Sequence, residues 1–335
     1  MTATARRPRL GVVLGSSQSP AQVVAAAQVA ESAGFDELWV GEDYFFTGAI
    51  ATAGALLAAT ELPVGIGIVP TASRHPALLA MEVATLAGIY PGRLTAGVGV
   101  GVPDWLDAMR IRPAAALTAV RETLTGLRTL LRGESLTIEG RSYAADGIRL
   151  EHPPAPVPPL YAGVGGPKAL RMAGGTADGT VLSVLAGTEY IRWAVAQLQA
   201  GGAGPDHQVV AYALCSVGPD AATARDRLRE LFGLYLLTGP RNPMTEAHGI
   251  ADEAAALAEL DFADAVAKIP DAWLDELAVV GTPADCARRL TELAGAGADS
   301  IALCLVPDDD GGLAQLRSMA TDLLPLLREP QGTTA

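Results

Sequence analysis

One continuous stretch, residues 62–101, constrains the fold more than any other part of the chain. It predicts a strand over 62–69, a helix that begins at Arg74-His75-Pro76 and ends at Pro91-Gly92, and a second strand over 93–101. The helix carries apolar side chains at helical spacing: Leu78, Leu79, Met81, Val83, Leu86 and Ile89. Two strands joined by one helix form a βαβ unit, in which the strands run parallel and both faces of the sheet are covered.

The same alternation of strand and helix continues along the chain. Eight strands are predicted, each followed by a helix: 9–15, 36–41, 62–69, 93–101, 159–163, 178–184, 209–217 and 299–305. Because no change of composition divides the 335 residues, we predict a single α/β domain over 1–335, a closed (β/α)8 TIM barrel. Residues 135–150 are predicted as a β-hairpin, and residues from about 238 to 270 as an insertion after strand seven.

Composition excludes several classes of function. The net charge is −13 and no basic cluster interrupts it, so nucleic acid and anionic membranes are poor partners, whereas a small-molecule substrate is compatible. The apolar stretches are too short or too often interrupted for a membrane span or a signal peptide, so we expect a cytoplasmic protein. Three cysteines lie far apart and without histidines at ligand spacing, which predicts buried thiols and neither a disulfide framework nor a metal site.

Glycines are concentrated where strands three and four end, and the carboxyl ends of the strands are where such barrels carry their chemistry. Gly67-Ile68 ends strand three, and Gly97, Gly99 and Gly101 end strand four. Glycine weakens a strand, so it marks a bulge, tight packing, or the close approach of a flat ligand to the backbone. All three interpretations are compatible with the sequence.

A second glycine pair, Gly165-Gly166, follows strand five, and Pro167 then begins a helix. Proline suits the first helical position, and glycines let backbone amides approach an anion at the positive end of the helix. The sequence predicts either a phosphate-binding turn or an ordinary connection between strand and helix. The spacing is not that of a Walker loop or a dinucleotide fingerprint.

Two carboxylates, Glu42 and Asp43, end strand two beside the aromatic residues 44–46. Adjacent residues on a strand point to opposite faces, so one of the two is expected to point into the mouth of the barrel. An apolar surrounding would raise the pKa of that carboxyl and make it a proton donor; a position at the surface or a helix-capping role is the other interpretation. Arg74 either pairs with an acid or reaches an anion, whereas His75, which precedes a proline, suits a structural hydrogen bond.

Three segments together resemble the luciferase-like monooxygenase superfamily, which includes flavin-dependent monooxygenases and reductases that use the deazaflavin coenzyme F420. The segments are GIGIVPTASRHPALLAMEVATLAGIYPGRLTAGVGVG (65–101), YAGVGGPKALRMAGGTADG (161–179) and VVGTPADCARRL (279–290). The resemblance covers residues 9–327, nearly the whole chain. It implies a TIM barrel with an insertion after strand seven, and a flavin or deazaflavin ring over the carboxyl-terminal mouth.

The resemblance also implies where the cofactor is held. In many members a non-prolyl cis peptide after strand three lies behind the ring, and it maps onto Gly67-Ile68. The loop after strand four would flank the ring, and the turn after strand five would hold the phosphate through backbone amides. The implied cofactor-binding residues are Gly67, Ile68, Gly99, Val100, Gly101, Gly163, Val164, Gly165 and Gly166.

Two departures from the superfamily pattern concern proton transfer. Several F420-dependent members carry histidine where this chain has Asp43 and an acid where it has Val102. Glu42 or Asp43 is therefore the expected catalytic proton donor here, unless water supplies the proton. Oxidation of a sugar phosphate by the histidine mechanism does not fit this pattern.

Three hypotheses about the cofactor follow from the resemblance. Reduced F420 would deliver a hydride to a C=C or C=N bond; reduced FMN would activate oxygen for a monooxygenase reaction; or the barrel has lost its cofactor. The similarity of residues 74–101 to the F420-dependent reductases favours F420, with FMN as the alternative. The superfamily also implies a homodimer and a substrate pocket built by the insertion.

Overall fold

The computed structural model describes residues 7–328, and its parallel strands close into the predicted TIM barrel. The strands are β1 (Arg9–Leu14), β2 (Glu37–Val40), β3 (Val64–Pro70), β4 (Leu94–Gly99), β5 (Leu136–Glu139), β6 (Ala144–Ile148), β7 (Leu160–Gly163), β8 (Gly179–Leu182), β9 (Gln208–Val217), β10 (Val279–Gly281) and β11 (Ser300–Leu305). The barrel order is β1-β2-β3-β4-β7-β8-β9-β11, closed by parallel pairing of β11 with β1. The short β10 pairs with the carboxyl end of β9, and β5 with β6 forms the predicted hairpin.

Helices surround the barrel in the predicted alternation. They are α1 (Pro20–Ala33), α2 (Ala49–Ala59), α3 (Pro76–Ile89), α4 (Pro103–Ala108), α5 (Ala116–Leu131), α6 (Pro167–Thr176), α7 (Thr188–Ala200), α8 (Ala221–Thr238), α9 (Pro243–Ala247), α10 (Ala251–Ala258), α11 (Phe262–Lys268), α12 (Asp271–Leu277), α13 (Pro283–Gly295), α14 (Leu313–Ser318) and α15 (Leu324–Arg328), with a π-helical turn at Met319–Leu323. The insertion consists of the short helices that begin with α9. None of the helices within 7–328 combines the length and the apolar character needed to cross a bilayer.

Local sequence explains several helix boundaries. The side chain of Ser19 caps α1 in a reciprocal capping box, and Gly34 ends that helix in the left-handed conformation with φ of 88°. The pair Thr282 and Asp285 forms the same box at the start of α13. The π-helical turn was not predicted. It adds one residue to a single helical turn, and this changes the spacing of the apolar residues too little to be recognised in the sequence.

Large side chains fill the interior of the barrel, so the barrel is a packed core and not a pore. Trp39 lies at its centre, with ring centroids 6.2 Å from Tyr161 and 6.0 Å from Tyr212. A Cβ on Gly65 would lie only 2.5 Å from the Trp39 ring, so this glycine of β3 is required by packing. Below the ring, the Trp39 Nε1 donates to the buried carboxylate of Glu37 at 2.6 Å.

A second hydrophobic cluster lies on the carboxyl-terminal side of the barrel, where α8 packs against the upper part of β9. Leu214 of β9, Phe232 of α8 and Trp273 of α12 all belong to it. The insertion is therefore attached to the rim of the barrel through α8. Tyr235, near the end of that helix, remains 45% exposed.

Candidate active site

Neighbouring strand ends bring the predicted site residues to one part of the rim. The order β2-β3-β4-β7 is continuous in the barrel, and Gly99 pairs in register with Pro70 on one side and with Gly163 on the other. The peptide Gly67-Ile68 is cis, as the resemblance implied, and the register of β3 shifts between Ile66 and Val69. The backbone continues to the acidic pair, since Glu42 N–H donates to the Ile68 carbonyl at 3.1 Å.

The glycines of β4 and β7 make room for Ile68. A Cβ on Gly163 would lie 2.5 Å from Ile68 Cγ2, and one on Gly99 would lie 3.0 Å from Ile68 Cγ1. A Cβ on Gly97 would strike the Ile66 carbonyl of the neighbouring strand. Of the interpretations open from sequence, tight packing therefore explains these three glycines directly. Any ring above them would contact the half-buried Ile68.

Gly67 has a different neighbour, the hydroxyl of Tyr212, which approaches it so closely that no Cβ fits. This hydroxyl is buried and has no hydrogen-bond partner among the described residues. Burial, and then the nearby Cys304 and Asp43, raise the pKa of Tyr212 well above its ordinary value. The phenol therefore stays protonated and offers an unused donor directly beneath the cis peptide.

The loop after β4 is shaped by backbone conformation. Gly101 has φ of +86°, in the left-handed region that favours glycine, and a Cβ there would lie 3.0 Å from Pro70 Cβ. Val100 is half-buried and packs against the main core. The predicted segment 99–101 thus lies at the rim, with the Gly99 carbonyl bonded to Thr71 N–H at 2.9 Å and its one side chain in the core.

The start of α6 is open to a ligand. Gly166 is its N-cap, no side chain caps the helix, and the first turn contains no acid. A Cβ on Gly166 would meet nothing within 4 Å, whereas the Gly165 carbonyl accepts a hydrogen bond of 2.9 Å from Tyr190. Val164 packs against the core. The amides that begin α6 therefore have no capping side chain, which is the arrangement that binds phosphate.

The two carboxylates have different surroundings. Glu42 is 8% exposed, and its Oε1 lies 2.5 Å from Arg74 Nη1 while its Oε2 accepts from Ala49 N–H at 3.2 Å, at the start of α2. Its hydrogen bond to Arg74 raises the pKa of that guanidinium. Arg74 also pairs with Glu82 at 3.2 Å. Glu42 thus joins three elements and has no oxygen left for a ligand.

Asp43 lies in the mouth. It is half-buried, its Oδ2 accepts a hydrogen bond from Ser16 Oγ, and the same oxygen lies 3.8 Å from where a Gly41 Cβ would be. Its charge contributes to raising the pKa of Tyr235, behind the larger effect of burial. Asp43 therefore lies at the ends of β1 and β2, within electrostatic reach of Tyr235 on α8.

Sequence reasoning missed four residues of this mouth: Ser16, Tyr212, Tyr235 and Cys304. Only Tyr212 left a signal, because it occupies an inward position two residues after Val210 on β9. Cys304 is half-buried, unlike the buried Cys215 and Cys286, since it lies where β11 opens into the mouth. Burial, and then Asp43, raise the pKa of the Cys304 thiol to about 12, so it is not a nucleophile at neutral pH.

His75 and Trp105 also have defined positions. His75 Nδ1 accepts from Ala77 N–H at 3.2 Å and caps α3, and its Nε2 lies 3.1 Å from the Ala144 carbonyl of the hairpin, so its role is structural as expected. Trp105 of α4 packs edge-on against Tyr44, with centroids 6.3 Å apart. A cavity of about 740 Å³ lies beside the mouth, between the ends of β9 and β11 and α14, and none of the predicted site residues lines it.

Comparison with known proteins places this site in a family. The sequence profile of the luciferase-like monooxygenases matches residues 4–300. The 5,10-methylenetetrahydromethanopterin reductase of Methanolobus tindarius is 30% identical over 303 residues, which cover 87% of this chain and 92% of that protein. The F420-dependent glucose-6-phosphate dehydrogenase of Beutenbergia cavernae is 32% identical over 255 residues, which cover 68% and 74%.

Solved structures share the fold. The coenzyme F420-dependent tetrahydromethanopterin reductase of Methanopyrus kandleri superposes with a TM-score of 0.83 at 22% identity, covering 96% of this chain and all of that one (100%). The EDTA monooxygenase of Chelativorans superposes with a TM-score of 0.74 at 17% identity, covering 96% and 94%. Barrel, rim and sequence agree, and the chain belongs to the luciferase-like monooxygenase family.

Proposed function

We propose that the protein is an oxidoreductase that uses coenzyme F420 to reduce a C=C or C=N bond of a small organic substrate. The observation that carries the proposal is the joint placement, on one rim, of the half-buried Ile68, packed against Gly99 and Gly163, and of the uncapped start of α6. Relatives that cover most of the chain support the cofactor: one is named an F420-dependent dehydrogenase and another a methylenetetrahydromethanopterin reductase.

The residues present fit such a cofactor. The open amides that begin α6 at Gly166 suit its phosphate, and the half-buried Ile68 offers an apolar surface to a flat ring. The unpartnered hydroxyl of Tyr212 beneath this surface suits a polar edge of a ring. When bound in its reduced form, the cofactor supplies the hydride.

Asp43 is proposed as the group that transfers the proton. It lies in the mouth, half-buried, and Ser16 orients its Oδ2. Its other oxygen can exchange a proton with water and pass it to the substrate atom next to the one that accepts the hydride, so the substrate gains one hydride and one proton. Glu42 is proposed to position the loop, because Arg74 and the start of α2 occupy both of its oxygens.

The alternative is a monooxygenase that uses reduced FMN. The matched family profile bears the name of the monooxygenases, and a solved structure with the same fold is EDTA monooxygenase. The same rim would serve, because FMN also combines a flat tricyclic ring with a phosphate. A barrel without cofactor is the third possibility, and the intact opening at α6 argues against it.

The test is a titration of the purified protein with F420 and with FMN, followed by quenching of cofactor fluorescence and by thermal shift. Micromolar binding of F420, with weaker binding of FMN, is the expected result. If FMN remains bound in stoichiometric amount through purification, the cofactor is FMN and the monooxygenase alternative is favoured over the F420-dependent function. Binding of neither would overturn the proposal in favour of the barrel without cofactor.

We also propose that the protein forms a homodimer through α2 and α3. Helix α3 exposes Leu78, Met81 and Ile89 by 55%, 54% and 61%, and the adjacent α2 exposes only alanines, at 51, 55 and 58. The one charged residue of α3, Glu82, is paired with Arg74 at 3.2 Å, and a contiguous exposed apolar patch normally marks an interaction surface. An identical copy presents the same apolar patch, so packing two such patches around a twofold axis covers both.

A further inference from the structure

An exposed group of aromatic side chains borders the candidate site and has no role in the function proposed above. It comprises Tyr44, Phe45 and Phe46 from the loop after β2 and Trp105 from α4, and is called the aromatic lip below. Phe45 and Phe46 are 71% and 61% exposed, and Phe45 is the most exposed large apolar side chain within residues 7–328. The Tyr44 ring joins the group, with centroids 5.9 Å from Phe45 and 6.3 Å from Trp105.

The position of the lip connects it to the mouth. Its residues follow directly on Asp43 in the chain, and the two loops that carry it lie on either side of the end of β3, where Ile68 lies. The buried Tyr44 hydroxyl has no hydrogen-bond partner among the described residues, and burial raises its pKa, with smaller effects from Ser73 and Glu42. The aromatic surface is thus continuous with the place where a substrate would meet Asp43.

The charges around the lip select against anions. Residues 42–48 and 100–112 contain four acids, Glu42, Asp43, Asp104 and Asp107, and two arginines, Arg110 and Arg112, of which Arg112 is paired with Asp107 at 2.6 Å. The guanidinium of Arg74, next to the lip, is already shared between Glu42 and Glu82. A phosphate or carboxylate on the substrate would therefore meet more carboxylates than unpaired guanidinium groups here, whereas a flat uncharged ring would be held by stacking.

We infer that the aromatic lip is the substrate-binding surface, and that it selects an uncharged, flat, conjugated molecule and rejects phosphorylated or carboxylated ones. The inference rests on the proposed function for the chemistry, since a conjugated C=C–C=O group is a hydride acceptor. Binding to the aromatic lip does not depend on the proposed function, because the lip should bind such a molecule even when no cofactor is present.

The test uses coumarin as the uncharged probe, coumarin-3-carboxylate as its anionic match, and glucose 6-phosphate, each titrated into the full-length protein by calorimetry. Coumarin should bind about tenfold more tightly than its carboxylate, and glucose 6-phosphate should not bind measurably. Phe45→Ala and Phe46→Ala should each weaken coumarin binding about fivefold. Leu326→Ala removes an apolar side chain of 42% exposure on α15 and should have no effect.

The outcomes separate the two proposals. Equal binding of coumarin and its carboxylate, or unchanged affinity in both phenylalanine variants, would overturn the inference. A shift of either variant from dimer to monomer by light scattering would also overturn it and assign the lip to the subunit interface. A parallel F420 titration tests the proposed function. If the protein binds coumarin through the aromatic lip but binds no F420, the inference about the lip holds and the proposed F420-dependent function is refuted.

Discussion

The side chain of Ile68 lies against the backbone of Gly163, and a Cβ at Gly163 would be 2.5 Å from Ile68 Cγ2. This contact links the cis peptide after β3 to the strand that leads to the open end of α6. The surface expected under the ring and the turn expected around the phosphate are therefore in direct contact. A substitution that displaces one of them is therefore expected to displace the other.

We predict that Gly163→Ala destabilises the protein by about 1–3 kcal/mol, the usual result of overpacking, and weakens cofactor binding by displacing Ile68. The second change Ile68→Ala should restore much of the stability of Gly163→Ala, because it removes the atoms in conflict. Urea denaturation and a cofactor titration of the two single variants and the double variant provide the measurement. Additive losses in the double variant would show that the two residues are not coupled.

At the start of α6, Gly166→Asp is predicted to leave the melting temperature unchanged or higher, because aspartate is a good N-cap and has open space there. Cofactor affinity should fall about 100-fold, since the carboxylate takes the amides and repels the phosphate. Gly166→Asn is the uncharged control and should lose less affinity. Gly165→Asp should also weaken binding, but it disturbs Tyr190, which lies 3.1 Å from the new Cβ. Unchanged affinity in Gly166→Asp would place the phosphate elsewhere.

Conservative substitutions should distinguish the roles of the two carboxylates, Asp43 and Glu42. Asp43→Asn should lower kcat by a factor of about 10²–10⁴, the usual contribution of general acid catalysis, with cofactor affinity and stability kept. Glu42→Gln should instead cost about 1–3 kcal/mol of stability, because it leaves Arg74 without its buried charge partner. Steady-state kinetics and urea denaturation of both variants give the answer. A loss of kcat in Glu42→Gln at unchanged stability would reverse the assignment.

The proposed dimer should depend on the apolar face of α3. Met81→Glu adds a charge at a position of 54% exposure in the centre of that face, so the monomer should tolerate it while the dimer should not. Light scattering after gel filtration should then show a shift from dimer to monomer. Leu326→Glu, on α15, is the control and should remain a dimer. A wild-type protein that is monomeric at high concentration would refute the proposal.

Acidification should weaken the attachment of the insertion at His248. Burial lowers the pKa of this imidazole from 6.5, its Nε2 has no partner among the described residues, and its Nδ1 lies 3.8 Å from Glu276 Oε2. Because the folded-state pKa is the lower one, the unfolded chain binds the proton first, and stability falls as the pH drops below 6.5. Above that pH, the histidine contributes no pH dependence.

The check compares wild type with His248→Gln by thermal denaturation at about pH 7.5 and about pH 5.5. The variant should lose less stability than the wild type over this interval. His207, whose pKa burial also lowers, contributes with the same sign in both proteins and so cancels from the comparison. Equal losses in the two proteins would show that His248 does not titrate in this range.

The periodicity of apolar residues determined the eight repeats, the hairpin and the position of the insertion, because strand and helix spacing is a local property of the chain. It also placed Gly67, Gly99, Gly163 and Gly166 at strand ends, where the barrel collects them on one rim. Family resemblance supplied the cis peptide. All of these depend on residues close together in the sequence.

Tertiary structure alone decided what each of those residues touches. Ile68 of β3 packs against Gly163 of β7, past the intervening strand β4, and the Tyr212 hydroxyl lies against Gly67 from the far side of the barrel. Arg74 pairs with the Glu42 carboxylate, whereas Asp43 remains in the mouth. None of these contacts has a local signature, since each joins residues that are 32 or more positions apart and the closure of the barrel brings them together. Which carboxylate is available and which glycine is open are therefore properties of the packed barrel.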